Sequence, residues 1–167
     1  DNIPEWDGNP DTLANWILKV NSLSKRSPII FKQLGQIVPT RLVDEADDWY
    51  YSLPQSYRTK IEEDWETLKE AIASYYMNRS WFDKQKTRAN KAYYREPGHH
   101  TETPSEYYIR KSQLLSFVYQ LNDSQMIMEV LTNAPSAWVT IVTPHFCRTV
   151  VEFQAALKFH EEALIDV

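Results

Sequence analysis

The placement of prolines and helix-capping residues constrains this chain more than any other feature of its sequence. Apolar residues recur at intervals of three and four, and each such stretch ends near a proline or a residue that caps helices. The sequence has nine prolines but only three glycines. This balance favours short helices joined at proline-marked turns over hairpins with glycine turns. We therefore predict an all-α fold.

Capping signals delimit nine predicted helices. Thr103 and Glu106 have the spacing of a capping box, and Thr149 and Glu152 repeat it. Ser80 is predicted to cap the helix that follows the break at residues 78–80, and Asp123 or Ser124 the short helix that ends near residue 131. Residues 96–103 carry no apolar side chain to bury and are predicted to form a loop. In order, the predicted helices cover residues 10–23, 27–37, 39–50, 61–77, 80–93, 103–121, 123–131, 135–142 and 149–164.

The helical pattern favours two small lobes over one long bundle. No periodic stretch exceeds about five turns, which is short for a helix of a single elongated bundle. The pattern breaks near residues 78–80, and we place the boundary there. We predict an N-terminal helical lobe at residues 1–82 and a C-terminal helical lobe at residues 83–167.

Composition excludes several classes of protein. The net charge is −5 and the pI is near 5.4, so the whole chain lacks the basic character of a sequence-independent nucleic-acid binder. A single cysteine, Cys147, excludes an intrachain disulfide and a cysteine-rich zinc site. No apolar run approaches the roughly 20 residues that span a bilayer. We expect a soluble intracellular protein without a membrane partner. Its start at Asp1, without a methionine, indicates a fragment of a longer chain.

No arrangement of reactive side chains predicts catalysis or metal binding. His99 and His100 are adjacent in a loop, and no cysteine or third histidine accompanies them at ligand spacing. The acidic run at residues 44–48 has the composition of a solvated surface rather than of a buried carboxylate pair. Cys147 follows His145 by two residues but is interpreted as a packing residue. We expect no enzyme activity, no metal and no cofactor.

A basic stripe is predicted in the helix that follows the lobe boundary. Its residues lie at helical spacing on one face: Lys84, Arg88, Lys91 and Arg95. Such a stripe can contact RNA phosphates or another polyanion. The alternative interpretation is a solvated face that pairs with acidic neighbours such as Asp83.

Paired tyrosines cannot both point inward on one helix, so some of them must be exposed. Exposed tyrosines are common in interfaces between proteins. Tyr51, Tyr94 and Tyr107 are the predicted subunit-contact residues, with ordinary surface packing as the alternative.

The order of several aromatic and small residues resembles the Gag capsid region of gypsy-type (Metaviridae) LTR retrotransposons. In that family an alanine and a tryptophan end one helix, a tryptophan opens the next, and a glycine-bearing loop leads into a serine–tyrosine helix. The domesticated neuronal Gag protein Arc has a similar layout. The matching residues span nearly the whole chain and are Trp6 to Asn9, Leu13, Trp16, Ala46, Trp49, Trp65, Leu68, Ile72, Gly98, Ser105 and Tyr108.

The resemblance implies a two-lobed capsid protein that assembles into a virus-like shell in the cytoplasm. Its copies would form hexameric and pentameric rings through the N-terminal lobe and dimers through the C-terminal lobe. RNA would be packaged indirectly, through a nucleocapsid segment absent from this sequence. The competing hypothesis is a domesticated host adaptor that captures partner peptides, for which an apolar groove in the first lobe would be evidence.

The resemblance also implies an element like the major homology region of retroviral capsids. This element would comprise a loop and a helix that carry Gly98, Thr103, Glu106, Tyr108 and Lys111. Two departures from the family pattern are present. The usual glutamine before the glycine is missing, and Lys111 is assigned to a position where arginine is common.

Overall fold

The chain is all-α, as the sequence predicts. A computed structural model describes residues 2–167, which contain eleven α-helices and no strand beyond one isolated bridge between Trp6 and Leu42. The helices are α1 (Leu13–Ser24), α2 (Pro28–Ile37), α3 (Asp44–Ser52), α4 (Gln55–Ile61), α5 (Trp65–Tyr76), α6 (Arg79–Lys91), α7 (Pro104–Val118), α8 (Asp123–Thr132), α9 (Trp138–Val142), α10 (Val150–Phe159) and α11 (Glu161–Ile165).

The chain divides into two compact units. Unit 1 is Asp1–Phe82 and unit 2 is Asp83–Val167, so the division falls inside α6. Each unit has its own cluster of buried apolar side chains. The assignment of these units as the two lobes of a capsid stays a prediction.

Tryptophan side chains organise the core of unit 1. Trp16 stacks on Trp6 with 5.7 Å between ring centroids and meets the edge of Trp65 at 5.8 Å. The buried indoles keep hydrogen-bond partners: Trp16 Nε1 donates to the Pro4 carbonyl oxygen and Trp65 Nε1 donates to Asn21 Oδ1, both at 2.8 Å. The first bond holds the extended residues before α1 against the core, and the second joins α5 to α1. Both satisfy an indole N–H whose burial would otherwise be costly.

A glycine lets α2 approach the connection between α4 and α5. A Cβ atom on Gly35 would lie 2.5 Å from the Glu62 carbonyl oxygen and 2.8 Å from the Asp64 backbone nitrogen. Both are backbone atoms, so no side-chain movement can make room. Gly35 therefore sets how closely these segments pack.

Several predicted helix boundaries are wrong. Residues 55–61 form a separate helix, α4, and Asp64 caps α5 through the Thr67 N–H at 2.8 Å. The helix expected from residue 61 therefore begins only at Trp65, and α4, which precedes it, was not predicted. Asn78, rather than Ser80, accepts the Trp81 N–H at 2.9 Å at the start of α6.

Two boundaries in unit 2 also differ from the prediction. Asn122, rather than Asp123 or Ser124, caps α8 in a capping box with Gln125. The expected helix from 149 to 164 is interrupted at His160, which separates α10 from α11. At α10 only half of the predicted capping box forms. Thr149 accepts the Glu152 N–H, but the Glu152 carboxylate accepts the backbone N–H of Arg148 instead of that of Thr149.

The core of unit 2 forms where α7 packs against α8, α10 and α11. Trp138, at the start of α9, is fully buried and donates its Nε1–H to the Leu164 carbonyl oxygen at 3.2 Å. Tyr107 meets the Trp138 ring at 6.0 Å between centroids. These aromatic contacts position α7 and the loop before it.

Candidate functional site

The loop between α6 and α7 is held by one buried carboxylate. Glu102, just before α7, is buried and accepts the backbone N–H of Arg95 at 3.1 Å. Arg95 Nε also donates to the Glu102 carbonyl oxygen at 2.9 Å. Arg95 has a φ of 57° and Gly98 a φ of 90°, two left-handed residues that turn the chain back on itself. The loop is thus a defined turn closed by Glu102.

Arg110 joins this turn to α7. Its Nε donates to Glu102 Oε2 at 2.7 Å and its Nη2 to Glu102 Oε1 at 3.0 Å, a bidentate pair. Nη1 donates to Glu96, and Nη2 also reaches the Tyr93 carbonyl oxygen at 2.9 Å. A planar guanidinium suits such a network because several donors act in one fixed geometry.

The network shifts the pKa values of both charged partners. Burial raises the pKa of Glu102, but the hydrogen bonds from Arg110 and from the Arg95 N–H outweigh it, so the pKa lies below its ordinary value. Burial lowers the pKa of Arg110, and the hydrogen bonds to Glu102 and Glu96 more than reverse this effect. Both pKa shifts therefore favour the charged forms of Glu102 and Arg110.

Lys111 lies in the interior of unit 2. Its side chain is 0% exposed, and its Nζ donates to the carbonyl oxygens of Ala89 at 2.6 Å and Asn90 at 3.4 Å. These carbonyls belong to the last turn of α6, where backbone acceptors have no partner within the helix. Burial lowers the pKa of Lys111. Lys111 is thus a side-chain cap for the C-terminal end of α6.

The other residues of the predicted homology element have distinct roles. Thr103 and Glu106 form a complete capping box at the start of α7, with the Glu106 N–H donating to Thr103 Oγ1 at 3.2 Å and the Thr103 N–H to Glu106 Oε1 at 2.9 Å. Tyr108 is buried and meets Phe153 at 5.8 Å between centroids. A Cβ on Gly98 would meet no atom within 4 Å beyond its chain neighbours, so Gly98 serves the turn through its positive φ rather than through close packing.

The predicted basic stripe is shorter than expected. Lys84, Arg88 and Lys91 are exposed on α6, but the helix ends at Lys91, and Arg95 turns back toward Glu102. Arg95 is therefore not part of a continuous helical face. A cavity of about 210 Å³ at the end of the stripe is lined by Arg88, Lys91, Ala92, Glu96, His99, Arg110 and Leu114.

The three predicted contact tyrosines differ in exposure. Tyr51, on α3, is 56% exposed, and the Arg58 guanidinium lies 4.9 Å from its ring centroid. Tyr94 is half-buried, and its ring lies 4.7 Å from that of Trp138. Tyr107 is fully buried and donates its hydroxyl to the Val130 carbonyl oxygen at 2.6 Å. The expectation that Tyr107 lies on the surface is wrong, because its face of α7 packs into the core.

Unit 1 carries an apolar groove between its N-terminal arm, the end of α1 and α2. The groove has a volume of about 300 Å³. Its walls are Ile3, Leu23, Ile30, Leu34 and Ile37, with Arg26 and Gln33 as its polar lining. Arg41 Nε donates to the Ile3 carbonyl oxygen at 2.8 Å, which fixes the arm that forms one wall.

Sequence reasoning missed Glu96, Glu102 and Arg110, the residues that make the network. The signal in the sequence was weak. Glu102 lies in a predicted loop, where an acidic residue is ordinarily solvated, and Arg110 is next to Lys111, to which the arginine position of the family was assigned. Arg110 forms the hydrogen-bonded network with Glu96 and Glu102, whereas Lys111 caps the C-terminal end of α6.

No protein-family model, no curated protein and no solved structure matches this chain. The resemblance to retrotransposon Gag therefore depends on the residues of this sequence alone. Among residues 2–167, no helix has both the length and the apolar character needed to cross a bilayer. Within the same residues, no cluster of three or more histidine, cysteine, aspartate or glutamate side chains is arranged to hold a metal ion.

Proposed function

We propose that this chain is a structural capsid protein of the retrotransposon Gag type, which builds a closed shell from many copies of itself around element RNA. The observation that carries the proposal is the loop and helix from Tyr93 to Val118. The residues that the Gag resemblance selected there include a left-handed glycine and a complete capping box, and they adjoin the ion pair of Arg110 with the buried Glu102.

This element supports assembly because it is rigid. A shell needs many weak contacts repeated with the same geometry, and such contacts require surfaces that do not change shape between copies. The Arg110 network ties a twelve-residue connection to α7, so the surface around it is preorganised. RNA contact is proposed to be indirect, through a nucleocapsid segment, with Lys84, Arg88 and Lys91 as a secondary polyanion contact.

Negative-stain electron microscopy with light scattering, on concentrated protein across a salt series, tests the proposal. Closed particles or ring arrays are the expected result. A chain that stays monomeric at every salt and protein concentration contradicts assembly by this chain.

The groove of unit 1 favours a second candidate function, an adaptor that binds a partner peptide. Its five isoleucine and leucine side chains on the arm, α1 and α2 can accept an extended apolar segment. Fluorescence anisotropy with labelled apolar peptides tests this function. Saturable binding that Ile37→Glu abolishes, and that Ile29→Glu on the exposed side of α2 preserves, supports the adaptor.

A further inference from the structure

An exposed phenylalanine projects from unit 2. Phe159, the last residue of α10, is 84% exposed, more than any other large apolar side chain among the described residues. Its only ring neighbour is His160, at 4.8 Å between centroids. Transfer of such a ring from water to an apolar site is favourable, and aromatic anchors of this kind are typical of protein interfaces.

The groove of unit 1 has the size and lining that a phenylalanine ring requires. Its volume of about 300 Å³ exceeds that of one aromatic side chain, and its walls are aliphatic. Ile37, at one end, is 42% exposed, so the apolar lining is open to an entering group. The groove is therefore a receptor for an apolar anchor.

Charge distinguishes Phe159 as the occupant from Phe146, which at 75% is the next most exposed phenylalanine among the described residues. Arg26 lines the groove and makes no ion pair with any described residue. Glu162 is exposed, makes no ion pair with a described residue, and follows Phe159 by three positions, within about 11 Å along the chain. Phe146 instead precedes the basic Arg148, which would bring like charge to Arg26.

We propose that Phe159 of one copy enters the unit 1 groove of a second copy, where Glu162 pairs with Arg26. The inference rests on the proposed function, because it names one contact that joins copies of the chain. The two surfaces differ, so the contact is heterologous and leaves a free groove at one end and a free anchor at the other. Repetition of such a contact generates rings or open chains rather than isolated dimers.

Paired substitutions in the full chain test the two surfaces by sedimentation velocity. Phe159→Glu and Ile37→Glu are each expected to weaken association at least about tenfold. Phe146→Glu and Ile29→Glu are the matched controls, because they add the same charge at exposed apolar positions outside the contact. Circular dichroism establishes that the four variants keep their helix content.

A mixing experiment then identifies the contact as one between copies. Phe159→Glu retains its groove and Ile37→Glu retains its anchor, so an equimolar mixture is expected to form a 1:1 complex that grows no further. If neither variant associates on its own and their mixture also forms no complex, the proposal is overturned.

Charge exchange provides an independent result. Arg26→Glu and Glu162→Arg are each expected to weaken association, and the double variant is expected to recover it. If the Phe159→Glu variant associates as strongly as the wild-type chain, the proposal is overturned. If apolar peptides also bind the groove saturably in that case, the groove is a site for a peptide ligand. If the mixture forms its 1:1 complex but the wild-type chain shows no ring or shell under the microscope, this contact stands and the capsid function fails.

Discussion

At the residue scale, Arg110 and Lys111 show how unit 2 accommodates charge in its interior. Buried charges are costly unless hydrogen bonds replace the lost water. Arg110 satisfies two carboxylates and a carbonyl of the preceding loop, whereas Lys111 satisfies carbonyls at the end of α6. Two neighbouring residues of α7 thus fix two different segments of unit 2.

Glu102→Gln is expected to change how the stability of unit 2 depends on pH. The folded state holds the pKa of Glu102 below its ordinary value, so its contribution is present above the unfolded pKa of about 4.3 and disappears as the pH falls through the folded value. The glutamine variant should be less stable than wild type at neutral pH, and the difference should shrink in acid.

Amide hydrogen exchange of α7 as a function of pH measures this effect. Asp166→Asn, which neutralises an exposed carboxylate of the same unit, is the control and should follow the wild-type profile. A constant difference between Glu102→Gln and wild type down to acidic pH would argue against an ionised Glu102 in the folded state.

Gly35→Ala is expected to destabilise unit 1 by about 2–3 kcal/mol, the magnitude typical of overpacking. The added methyl group meets backbone atoms of Glu62 and Asp64 that cannot move independently. Urea unfolding followed by tryptophan fluorescence gives the free energy of unfolding. Gly98→Ala is the comparison: no atom lies within 4 Å of its Cβ position, so only the strain of a positive φ, about 1–2 kcal/mol, is added.

Single residues were predictable from sequence where their role is local. Thr103 and Glu106 form the expected capping box, because that motif is determined by four consecutive residues. Tyr107 and Lys111 were misjudged because their roles depend on partners that lie 23 and 22 positions away in the chain, respectively. A lysine that caps a distant helix has the same sequence signature as a solvated one.

At the element scale, several of the helices begin at side-chain caps. Ser27, Asp64, Thr103, Asn122 and Thr149 each accept a backbone N–H from the first turn of the helix that follows. Caps of this kind make short helices stable, since the first four N–H groups of a helix have no internal partner.

Thr103→Ala is expected to destabilise the first turn of α7 by about 1 kcal/mol through loss of the cap. Amide exchange at Glu106 should accelerate by roughly fivefold as a result. Thr101→Ala is the control, because Thr101 is exposed in the loop and caps no helix. Equal exchange rates in the two variants would show that the threonine hydroxyl contributes nothing to α7.

Helix existence was more predictable from sequence than helix boundaries. Asn78 and Asn122 each precede another residue that can cap, so composition alone cannot choose between neighbours. The separate helix α4 was missed because it buries only Ile61, and so few apolar positions give no helical stripe. The break at His160 was missed because the apolar spacing continues across it to Leu164.

At the scale of the whole molecule, the tyrosines predicted to contact other copies differ in their exposure. Tyr51 is exposed beside Arg58, whereas Tyr107 is enclosed by the core of unit 2. A charge placed at an exposed position perturbs contacts between copies, and a charge placed in a core perturbs the fold itself.

Tyr51→Glu is expected to reduce particle formation while the helical circular dichroism signal stays at the wild-type level. Tyr107→Glu is expected to lower the helical signal itself, because it places an unpaired charge in the core and removes the hydroxyl bond to Val130. Light scattering and circular dichroism on the same samples separate the two effects. Full particle yield from Tyr51→Glu would exclude Tyr51 from the subunit contact.

The burial of Lys111 gives unit 2 an internal reporter of its own integrity. An amine-reactive label needs an accessible amino group, and the α6 lysines Lys84, Lys86 and Lys91 offer one, whereas Lys111 does not. Mass-spectrometric mapping of such a label would measure the accessibility of the α6 surface at Lys84, Lys86 and Lys91. The modified fraction of Lys111 would report the fraction of molecules in which α6 and α7 have separated.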